Sequence, residues 1–184
     1  MVPFYLYQMK FYELLTQAKK FIDLSIENND WQQDFKVLDF GSKWMFDRMN
    51  EISPNHSRYY DPSINFFGYG VFKYGLSILV TVLFLLLITK INLFLLPSLV
   101  IIFYFVEVHF LFLFPILFDK KTNPIATSIK YTYQIGLIHL IVNVIPIALF
   151  MIWGLFHFKN PLRSWLVGCI AILIWYKDEI RDRL

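Results

Sequence analysis

Between Tyr74 and Phe118 the only Asp, Glu, Lys or Arg residues are Lys90 and Glu107, and the only histidine is His109. A stretch of 45 residues this dry is longer than any strand or helix of a soluble core requires, and it is long enough for two passes through a bilayer core of about 30 Å. Charged residues make up 17% of the chain and hydrophobic ones 57%, against roughly a quarter charged in a soluble domain. Gly and Pro number 7 and 8, and there is one cysteine, so disordered, collagen-like and disulfide-stapled classes fall away. The fold class expected is all-α: a polytopic membrane protein of about four transmembrane helices preceded by an amphipathic helical hairpin.

Residues 1–66 differ from the rest, carrying nine of the fourteen acidic and seven of the seventeen basic residues. Within them Phe4, Tyr7, Phe11, Leu14, Ala18 and Phe21 recur at steps of three and four, which predicts an amphipathic helix from Pro3 to Glu27. Asn28, Asn29 and Asp30 break it, and Asp30 caps a second helix with the stripe Trp31, Phe35, Leu38, Met45, Met49 and Ile52, ended by Pro54. Such a pair can close stripe on stripe as a hairpin, lie on the membrane surface, or dock on a partner. Phe11, Leu14, Phe35 and Leu38 are the candidate partner-docking residues. The first residues lack a basic n-region, and Lys10, Glu13, Lys19 and Lys20 interrupt any apolar run, so the segment is expected to stay on the mature protein.

The second part, 67–184, is expected to hold spans at about 70–89, 93–118, 135–158 and 162–176. The second run is longer than one straight crossing needs and contains Pro97 and Pro115, so tilt, a kink or a break must absorb the excess. The fourth has only about a dozen apolar residues, roughly 18 Å of helix. Charge decides for it: four spans put fourteen of the Lys and Arg residues on one side and three (Lys90, Lys159, Arg163) on the other. The positive-inside rule then places both termini in the cytoplasm. The basic residues are neither clustered nor interleaved with aromatics in a polar segment, so nucleic acid is not an expected partner.

No zinc-protease, paired-cysteine, phosphate-loop or nucleophile-elbow motif occurs in the sequence. What remains is a set of polar groups at membrane depth: Glu107 and His109 in the second span, His139 and Asn143 in the third. Ionisable groups there must be neutralised or paired. Glu107 is expected to meet His139 and Asn143, one helical turn apart, while His109 points elsewhere. Glu107, His109 and His139 have the right number and type for a metal site, and the residue types also suit a proton relay or an axial ligand, but no particular cofactor is implied. The reading preferred from these residues is a non-catalytic membrane subunit or assembly factor, with a membrane-protein partner or a homo-oligomer. An intramembrane enzyme or cofactor-binding protein acting through Glu107, His109 and His139 on a lipid-soluble substrate is the alternative, and a small oligomeric transporter the third.

Overall fold

The structure, a computed structural model, describes residues 5–27, 38–56, 58–156 and 161–183. Among these residues the secondary structure is helical throughout, with no strand. The chain forms two compact units, one of residues 1–61 with 142–184, the other of 62–141. The C-terminal stretch therefore groups with the N-terminal helices, whereas the sequence divides the chain once, near residue 66.

The second unit contains α3 (Phe66–Ile91), α4 (Ser98–His109), α5 (Leu113–Phe118) and α6 (Pro124–Ile135). Helix α3 starts at Asn65, whose side chain accepts the Gly68 N–H at 2.7 Å, and ends at Asn92, whose side chain accepts the Phe94 N–H at 2.9 Å. Both caps satisfy backbone donors that a helix or turn leaves open. A short 3-10 turn over Leu93–Leu95 then reverses the chain, and α4 runs back along α3. The aromatic pairs Phe72–Phe110 and Phe66–Phe118, each 5.5 Å between ring centres, set the antiparallel register. The excess length of the second apolar run is absorbed twice: the helix begins only after Pro97, and it breaks at residues 110–112 between α4 and α5. Pro115 needs no kink, because at the third position of α5 its missing N–H would have had no helical partner.

Helices Phe66–Ile91, Ser98–Phe118 and Leu137–Gly154 are long and apolar enough to cross a membrane. On α3 the residues Ile78, Leu79, Val82, Leu83, Leu86 and Leu87 are all exposed. So large a contiguous apolar surface suits hydrocarbon and not water.

Helix α6 and α7 (Leu137–Leu155) are separated at Gly136, whose φ of 105° lies where side-chain-bearing residues are strained. Gly136→Ala should destabilise the protein by more than about 1 kcal/mol. A thermal midpoint in detergent equal to that of the parent would count against this reading of the joint.

The first unit joins α1 (Tyr5–Glu27), α2 (Leu38–Ile52), α8 (Pro161–Glu179) and the part of α7 from Val142 onward. Leu14, Ala18 and Ile22 of α1 are at most 2% exposed, as are Val167, Ile170, Ala171, Leu173, Trp175 and Tyr176 of α8. Helices α1 and α8 pack along each other, and α2 adds Phe46 and Met49 to the core. Ion pairs Lys10–Glu179 and Asp23–Arg163 at the two ends make α1 and α8 antiparallel. The apolar residues of α8 are thus matched to the stripe of α1. The three helices long and apolar enough to cross a membrane do not include α8, because Arg163, Lys177, Asp178 and Glu179 crowd its ends.

Candidate functional site

Glu107 lies near the end of α4 and is 8% exposed. Its carboxylate is 3.1 Å from the ammonium of Lys73, which is 5% exposed and belongs to the second turn of α3. The Tyr74 and Phe114 rings stand 5.2 and 5.7 Å from the same ammonium, which adds cation–π attraction to the ion pair. Ser77 donates to the Lys73 carbonyl at 3.0 Å and closes the polar turn. The partner of Glu107 is therefore a lysine of α3. His139 is half-buried on α7, in the same unit as Glu107, and the expected Glu107–His139 contact is replaced by the Lys73 pair.

A signal for this pair lies in the spacing of the chain. Folding the chain about Asn92 places Glu107 opposite Ser77, and Lys73 is one turn from Ser77 on the same helix face.

His109 points to another helix, as its two-residue offset from Glu107 requires. Its Nδ1 is 2.7 Å from the Phe105 carbonyl oxygen, which can only accept, so this nitrogen carries a proton. In the neutral ring Nε2 then accepts from the Tyr133 hydroxyl at 3.2 Å. Tyr133 belongs to α6, and two further α6 side chains reach the same end of α4. Ser128 donates to the His109 carbonyl at 2.9 Å and Thr132 to the Val108 carbonyl at 3.0 Å. The end of a helix leaves carbonyls open, and these hydroxyls satisfy two of them at the end of α4. Nearby, burial and, after it, the negative charge of Asp119 raise the pKa of Tyr131 above its usual value, so this phenol stays protonated at neutral pH.

Asn143 is fully buried in the first unit, where its Oδ1 accepts the backbone N–H of Phe11 at 3.0 Å. Glu107, His109 and Asn143 thus belong to three separate arrangements. Among the described residues no three His, Cys, Asp or Glu side chains converge as a metal would require, so Glu107, His109 and His139 do not form the three-ligand set considered from sequence.

Of the docking candidates, Leu14 is 2% exposed in the core of the first unit and Phe11 is half-buried. Leu38 opens α2, and Phe35 lies outside the described residues.

No family model, curated protein or solved structure matches this chain.

Proposed function

We propose that the chain is a non-catalytic integral membrane subunit or assembly factor of a larger membrane complex, docked on a membrane-protein partner through its N-terminal helical region. The observation that carries this reading is the Lys73–Glu107 pair. The one acidic residue inside the apolar spans is neutralised by a lysine of the neighbouring helix within a dry, aromatic-lined contact. An acid or base in catalysis needs access to a substrate proton, whereas a closed pair of this kind fixes how two helices meet. His109 supports the same reading, since both its ring nitrogens are engaged within the chain.

The topology we propose has four crossings, with α8 as the fourth and both termini cytoplasmic. The fourteen-to-three distribution of Lys and Arg supports the assignment of that side.

Native mass spectrometry of the protein extracted gently from its own membrane tests the function. A stoichiometric complex with another integral membrane protein is the expected result. A lone chain or homo-oligomer carrying a metal, pigment or other bound cofactor would overturn it in favour of an intramembrane enzyme or cofactor-binding protein.

A further inference from the structure

We draw no further inference here: the strongest candidate, the open apolar groove at the C-terminal end of α7 lined by Leu149, Phe150, Ile152, Trp153 and Phe156, carries none, because nothing in the structure shows what covers it.

Discussion

Replacing Lys73 by methionine destabilises the protein strongly, Glu107→Gln does so to a smaller extent, and the double variant Lys73→Met/Glu107→Gln regains most of what either loses. The two groups are 3.1 Å apart and nearly inaccessible, so each single change strands the partner in an apolar contact. Removing one member of a buried pair costs about 3–5 kcal/mol, while replacing both by neutral groups of similar volume is often close to neutral. Each kcal/mol moves the thermal midpoint of a chain this size by about 2–4 °C. The order of the single variants follows from side-chain length. A lysine left alone can extend its stem toward the interface, and a glutamate cannot. Thermal unfolding of the four proteins in one detergent checks this. Loss of function or of a bound cofactor in Glu107→Gln at unchanged stability would sink the structural role and restore the catalytic alternative.

The second large effect is expected at Leu14. With 2% of its surface exposed, Leu14→Ala removes buried methyl groups and leaves a cavity between α1 and α8, at a cost of about 2–5 kcal/mol. Tyr12, only two residues away, is 68% exposed, and Tyr12→Ala should stay within about 0.5 kcal/mol of the parent in the isolated protein. Equal midpoints for the two variants would contradict the packing of α1 on α8. The consequence for docking is practical. A polar residue at Leu14 would release partners by dismantling the first unit, so partner loss there says nothing about the docking face.

Burial of Leu14 also explains what the periodicity of α1 could and could not convey. Steps of three and four establish that one face of the helix is covered, and α1 is a helix with that face covered. The same steps are silent on the cover, which is supplied mainly by α8, about 150 residues away in the chain. The polar residues show a similar division. That Glu107 needed a partner followed from the energetics of a charge among apolar residues. That the partner is Lys73 depended on where the chain turns back, and the turn came at Asn92 with α4 delayed past Pro97.

The all-helical class, the three long apolar helices and the amphipathic character of α1 were determined by the sequence alone, because each depends on the length or period of a local run of side chains. The joint at Gly136, the break at residues 110–112, the grouping of α8 with the N-terminal helices, and the partners of Glu107, His109 and Asn143 were decided by tertiary structure. Each of these depends on which surfaces meet across large separations in the chain. A local pattern fixes what a helix must hide, and only the packed structure settles what it hides against.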